Sequence, residues 1–131
     1  MDLRLHCNRT MCVSGPSHSG KTTFVLTLLD RRHEIFSCPT NRVIWCYGIY
    51  QHTLNQALQE KGYLLHNNVI NTADIEPNDI VVLDDLFHES KSSQDVTAMF
   101  TKAAHHIPCF IIFITQNLFP PGKEARRQCL R

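Results

Sequence analysis

Three observations predict an α/β fold, a parallel sheet with helices on both faces. Short runs that are apolar throughout alternate with stretches of helical periodicity. Strands apolar on both sides belong to sheets covered on both faces, and parallel strands need helical crossovers. At 131 residues, with 43% hydrophobic and 19% charged residues, the chain has the composition of one globular domain with a core of its own.

The elements follow in order. Met11–Ser14 is a short apolar run ending at Gly15, the pattern of a buried strand. From Lys21 to Arg32, Phe24, Val25, Leu28 and Leu29 fall at helical spacing. Arg42–Gly48, "RVIWCYG", is aromatic and β-branched and is closed by glycine, as a second strand would be. Leu54, Ala57 and Leu58 mark one face of a short helix stopping at Gly62. Val69–Ile70 is read as a minimal strand, and "EPND" as a turn into the unbroken strand Ile80–Asp85. Ser92 and Asp95 resemble a capping box ahead of Val96, Met99, Phe100 and Ala103, which repeat at i, i+3, i+4 and i+7. Pro108 ends that helix, and Cys109–Asn117 is a last buried strand. The tail from Leu118 has turn chemistry at Pro120, Pro121 and Gly122 and then three arginines, with no further strand.

The segment after the first strand carries the chemistry. Gly15-Pro16-Ser17-His18-Ser19-Gly20-Lys21-Thr22 matches G-x-x-x-x-G-K-[ST] in full, with a strand before it and a helix after it. A chance match in a chain this long is on the order of one in a few hundred. Glycines let such a loop turn its amides inward, where they and the helix N-terminus attract phosphate. Lys21 would reach the β- and γ-phosphates, Thr22 would supply a hydroxyl to Mg2+, and Thr23 follows at the helix start. The motif marks a P-loop NTPase domain binding ATP with Mg2+.

The second half of such a site is an acid at the end of another strand. Asp84 ends "IVVL" and suits the Mg2+, which keeps part of its water shell. Asp85 follows and could orient or activate the attacking water, with Glu89 as the competing base. Gln116 stands just past the apolar run and Thr115, beside Asp84 in the expected sheet order, where an amide could touch the γ-phosphate or the water.

Composition narrows the alternatives. A net charge of +1 shows none of the basic footprint of nucleic-acid binders. The longest apolar run, Cys109–Ile114, is far too short to span a membrane. Eight histidines show no zinc-type spacing. Six cysteines with no C-x-x-C pair, and no apolar leader, predict reduced thiols in an intracellular protein that is not secreted.

The runs "GPSHSGKTTF", "VIWCYGIYQ", "IVVLDDLFHES", "MFTKAAHH" and "FIIFITQNLFPPGKEARRQCLR" together resemble the packaging-type ATPases of Polinton (Maverick) DNA transposons. Those are similar to adenoviral and poxviral genome-packaging ATPases of the FtsK/HerA branch of P-loop proteins. The resemblance covers Val13 to Leu130. It implies a RecA/ASCE-like sheet and ATP hydrolysis coupled to pumping double-stranded DNA into a capsid by a homo-oligomeric ring. The location it implies is the host nucleus or a virus-like particle. Lys21, Thr22, Asp84, Asp85 and Gln116 match the family's phosphate lysine, magnesium hydroxyl, acidic pair and sensor glutamine. Arg126 matches an arginine that reaches a neighbour's nucleotide. The family continues with a further strand, whereas this chain stops at Arg131. The expectation is therefore an incomplete domain over residues 1–131, truncated before its last core strand, with 118–131 as an irregular basic tail. A nucleotide-binding module without catalysis, or a P-loop kinase, are the other readings. The kinase reading lacks a recognisable arginine-rich lid and acceptor pocket.

Overall fold

The computed structural model describes residue 5 and residues 9–16, 20–86 and 107–116. Strand β1 (Thr10–Ser14) runs into the glycine loop, and helix α1 (Lys21–Asp30) leaves it. A turn at Arg31, whose amide reaches the Thr27 and Leu28 carbonyls, leads into the one-turn helix α2 (Arg32–Ile35). Strand β2 (Val43–Tyr47) is buried from Val43 to Cys46. Helix α3 (His52–Glu60) ends where Gly62, at φ +83°, lets the chain turn back on itself. Gly62 N–H donates to Gln59 O (2.9 Å) and Tyr63 N–H to Leu58 O (3.1 Å), a double bond pattern that satisfies the last carbonyls of the helix.

The chain leaves that cap already extended, so strand β3 is Leu64–Asn67 and not Val69–Ile70 as the sequence suggested. Only Leu65 of β3 is half-buried among exposed neighbours, which leaves no period-two signal to read. Val69 and Ile70 are apolar because they pack onto the sheet from the following loop. A short 3₁₀ turn at Thr72–Asp74 and a turn with Asn78 at φ +68° precede strand β4 (Ile80–Asp84). Strand β5 (Phe110–Thr115) is buried along its whole length.

The five strands form one all-parallel sheet in the order β1-β5-β4-β2-β3. Both faces of its central strands are buried, as their continuous apolar character requires. One face carries Val43, Trp45, Ile80, Val82, Phe110, Ile112 and Ile114, packed under Val25, Leu28 and Leu29 of α1 and Leu58 of α3. Phe24, expected in that apolar stripe, is 52% exposed, because the helix turns Val25, Leu28 and Leu29, with Leu26 partly buried beside them, toward the sheet. The other face carries Ile44, Cys46, Val81, Leu83, Ile111 and Phe113 against Ile70, Ile75 and Leu86. Among the described residues the long helices cover the first face only. The helix expected behind Ser92, and the tail, lie outside the described residues.

At the edge where β2 and β4 begin, Asp79 is fully buried and accepts from Arg42 Nη2 (2.6 Å), Arg42 Nε (3.1 Å) and Asn41 Nδ2 (3.1 Å). It also accepts from the backbone amides of Glu76 (2.8 Å) and Arg42 (3.2 Å). This network ties together the starts of two neighbouring strands and leaves their far ends to build the site.

One expectation about cysteine is corrected. Cys12, Cys46 and Cys109 are thiols, but Cys38 is disulfide-bonded. Burial pushes the Cys46 thiol up to about 12 and that of Cys109 to about 11, so neither is a nucleophile at neutral pH. Cys38 stands outside the apolar runs that keep the other two inert.

Candidate functional site

In a parallel sheet every strand delivers its carboxyl end to the same edge, where loops and helix N-termini gather. Register shows what meets there. Ser14 of β1 is level with Thr115 of β5, and Asp84 of β4 is level with Ile114 of the same strand. The glycine loop, Gln116 and the Asp84–Asp85 pair thus leave three adjacent strands at one height. Neighbouring strands lie about 4.8 Å apart, so the ends of β1 and β4 stand about 10 Å apart across β5. That gap is of the size of a phosphate group with a hydrated cation.

The loop is fastened to the sheet by Gly15 N–H donating to Thr115 O (3.3 Å). Its last residue, Gly20, takes φ +89° and ψ 15° at the entry to α1. A Cβ there would meet nothing within 4 Å, so glycine is needed for the left-handed backbone and not for space. The helical ladder opens with Phe24 N–H to Gly20 O (2.9 Å), and the N-cap position, a glycine, has no side chain with which to cap the helix. The amides of Lys21, Thr22 and Thr23 therefore have no acceptor within the helix, and the helix dipole adds to their pull on an anion. Lys21 Nζ donates to Gly15 O (2.5 Å) and Pro16 O (3.3 Å), which lays the ammonium across the loop it belongs to. Thr22 is half-buried at the first turn and Thr23 is exposed.

Across the edge, Asp84 is half-buried, with Oδ2 accepting from Trp45 Nε1 (3.3 Å). Burial raises its carboxyl above the usual carboxylate range, and the neighbouring charge of Asp85 adds to the rise; Trp45 and the Lys21 ammonium pull the other way. Lys21 and Asp84, 63 positions apart in the chain by their numbers, thus feel each other's charge. Asp85 sits at φ +52°, a left-handed backbone that aspartate tolerates better than most residues, with its amide donating to Ile114 O (2.8 Å). Gln116 is exposed immediately beyond β5, between the loop and the acids. Ser17, His18, Ser19, Glu89 and Arg126 lie outside the described residues.

The donor set fits magnesium. Among the described residues there is no group of three or more His, Cys, Asp or Glu side chains that could hold a metal unaided. Magnesium needs no such cage: it takes one or two carboxylates, oxygens of the substrate's phosphates, and water. Asp84 offers the carboxylate and Thr22 the hydroxyl, and two adjacent half-buried acids leave negative charge for a cation to offset.

The sign of that charge gives a prediction. A carboxyl whose folded value is raised favours the folded state when protonated, and that contribution is lost as pH rises through the folded value. At neutral pH Asp84 therefore opposes folding in the nucleotide-free protein. Asp84→Asn is expected to raise thermal stability slightly, by up to about 1 kcal/mol, and to remove the magnesium dependence of nucleotide binding. Differential scanning fluorimetry with and without Mg2+ checks both halves.

Sequence reading missed Trp45. It is the sole tryptophan, in a strand buried from Val43 to Cys46, and a buried indole N–H needs an acceptor. That requirement, two residues before the strand ends, was the available signal. No protein-family model matches the chain, and no curated protein matches it.

Proposed function

We propose that this chain is a P-loop NTPase that binds ATP with Mg2+ and hydrolyses it, with turnover coupled to translocation of double-stranded DNA. The observation that supports the nucleotide part is that β1, leading into Gly15, and β4, ending in the Asp84–Asp85 pair, reach one edge of a parallel sheet on either side of β5. The DNA part, the homo-oligomeric ring, the capsid partner and a site of action in the host nucleus or a virus-like particle rest on the resemblance of the motifs.

In this reading the first-turn amides of α1 and those of the loop hold the phosphates. Lys21 leaves the Gly15 and Pro16 carbonyls to meet the β- and γ-phosphates, exchanging neutral acceptors for charged ones. Thr22 and Asp84 hold Mg2+, which when bound withdraws charge from the phosphate oxygens. Asp85 accepts the proton of the attacking water, Gln116 orients that water against the γ-phosphate, and Arg126 completes the site of an adjacent subunit.

The test separates binding from turnover. Asp85→Asn keeps the shape and the tolerance of the left-handed backbone but cannot take a proton. It is expected to bind Mg–ATP within about threefold of the native affinity and to lose 10²–10⁴-fold in phosphate release, roughly the worth of a general base. Full turnover in that variant would remove Asp85 from its role. Absence of phosphate release by the native chain, with or without double-stranded DNA, would reject the reading as an ATPase.

A further inference from the structure

The proposed function uses Asp84, and Asp84 itself is held by a residue from another strand. Trp45 and Val82 are level in the β2–β4 pairing, and Tyr47 is level with Asp84. Side chains alternate along a strand, so Asp84 shares the α1-side face with Val82. Trp45 is on that face too, with no exposed surface, and its indole reaches two residues further along the neighbouring strand to Asp84 Oδ2 (3.3 Å). Phenylalanine or leucine could fill such a core position, but neither carries a donor.

We infer that Trp45 is a positioning residue for the cation held by Asp84: its indole N–H fixes one carboxylate oxygen and leaves the other, Oδ1, to the metal. The inference rests on the proposed magnesium–nucleotide reading of the site. An indole N–H only donates, so it supports the acceptor form of the carboxylate, the form that binds a cation. Its restraint also selects one orientation of a side chain at the very end of β4, next to a residue in left-handed backbone. Partners of this kind around metal ligands typically set affinity by 10–100-fold. A purely structural tryptophan would affect stability alone.

Because Trp45 is the sole tryptophan, it can be changed by a single substitution of atoms across the whole chain. Replacing it biosynthetically with benzothienylalanine keeps the ring volume and puts sulfur in place of the N–H. The probe is Mn2+ in place of Mg2+ with a non-hydrolysable ATP analogue, and free Mn2+ is counted by electron paramagnetic resonance. The expected result is Mn2+ affinity weakened about tenfold or more, with metal-free nucleotide binding unchanged. A second measurement needs no variant: the single indole ¹H–¹⁵N signal of the native chain should move when Mg2+ is added to the nucleotide-bound protein. Unchanged Mn2+ affinity in the folded analogue protein, or an indole signal indifferent to Mg2+, overturns the inference and leaves the nucleotide site standing. Failure of the native chain to take up Mn2+ with nucleotide overturns the magnesium reading itself, and the inference with it.

Discussion

Lys21→Ala is expected to lower ATP turnover by about 10²–10³-fold, the loss seen when one preorganised donor is taken from a developing anion. The reason lies in what the ammonium can do that the loop amides cannot. It is a mobile positive charge on a four-carbon stem, rooted in the first residue of α1 and able to follow charge as it builds on the γ-phosphate. In the nucleotide-free protein its bonds go to the carbonyls of Gly15 and Pro16, half-buried and exposed respectively, where water can take its place. The variant should therefore fold with stability within about 0.5 kcal/mol of the native chain. That combination, a large functional loss on an unaltered fold, separates a site lysine from a packing lysine. Lys21→Arg should not restore turnover, since a wider planar guanidinium does not fit a point contact. Phosphate release within twofold of native in Lys21→Ala would remove the lysine from the mechanism.

The second large effect is on folding. Asp79→Ala is expected to destabilise the chain by about 3 kcal/mol, on the order of 10 °C in midpoint. The carboxylate is fully buried and accepts five hydrogen bonds from Arg42, Asn41 and Glu76. Its removal takes the acceptor from the partly buried backbone amides of Glu76 and Arg42, and an amide left unpaired is the expensive part of losing such a pair. Arg42 is 32% exposed and can return its guanidinium to water, so the cost sits at the low end for a broken buried pair. The same network predicts acid sensitivity. Burial alone would lift the Asp79 carboxyl, but the bonds from the Arg42 side chain and from the Glu76 and Arg42 amides together hold it below the usual range. A depressed folded value means that the contribution is fully present above the ordinary carboxylate value near about 4. It is lost as pH falls through the lower folded value. Urea unfolding from about pH 5 down to about pH 2, roughly spanning that window, should show stability falling with acid in the native chain. In Asp79→Asn that part of the fall should be missing. An equal acid response in both would contradict the assignment.

How much of this was legible in the residues follows from which forces leave a pattern. Strands β2, β4 and β5 could be read because burial on both faces demands unbroken apolar runs. The turn between β1 and α1 could be read because Gly15 and Gly20 bound it, and Gly20 takes a left-handed backbone there. That β5 lies beside β4, with Gln116 just past its end, followed from the same alternation of strands and helices. Strand β3 could not be read, since its place at an edge asks little of Leu64, His66 and Asn67, all exposed. The exposure of Phe24 was hidden because apolar spacing cannot tell the margin of a helical stripe from its centre. The Asp79 network and the Trp45–Asp84 bond join residues 37 and 39 positions apart, and only folding brings their partners together.

The central claim is that the loop and the acid pair hold a nucleotide's phosphates with magnesium. Isothermal titration of the native chain with a non-hydrolysable ATP analogue in the presence of Mg2+ tests it most directly. Saturable heat at one nucleotide per chain is expected, weakened when EDTA removes the cation and lost in Lys21→Ala. A folded native chain that gives no saturable heat under those conditions would contradict it.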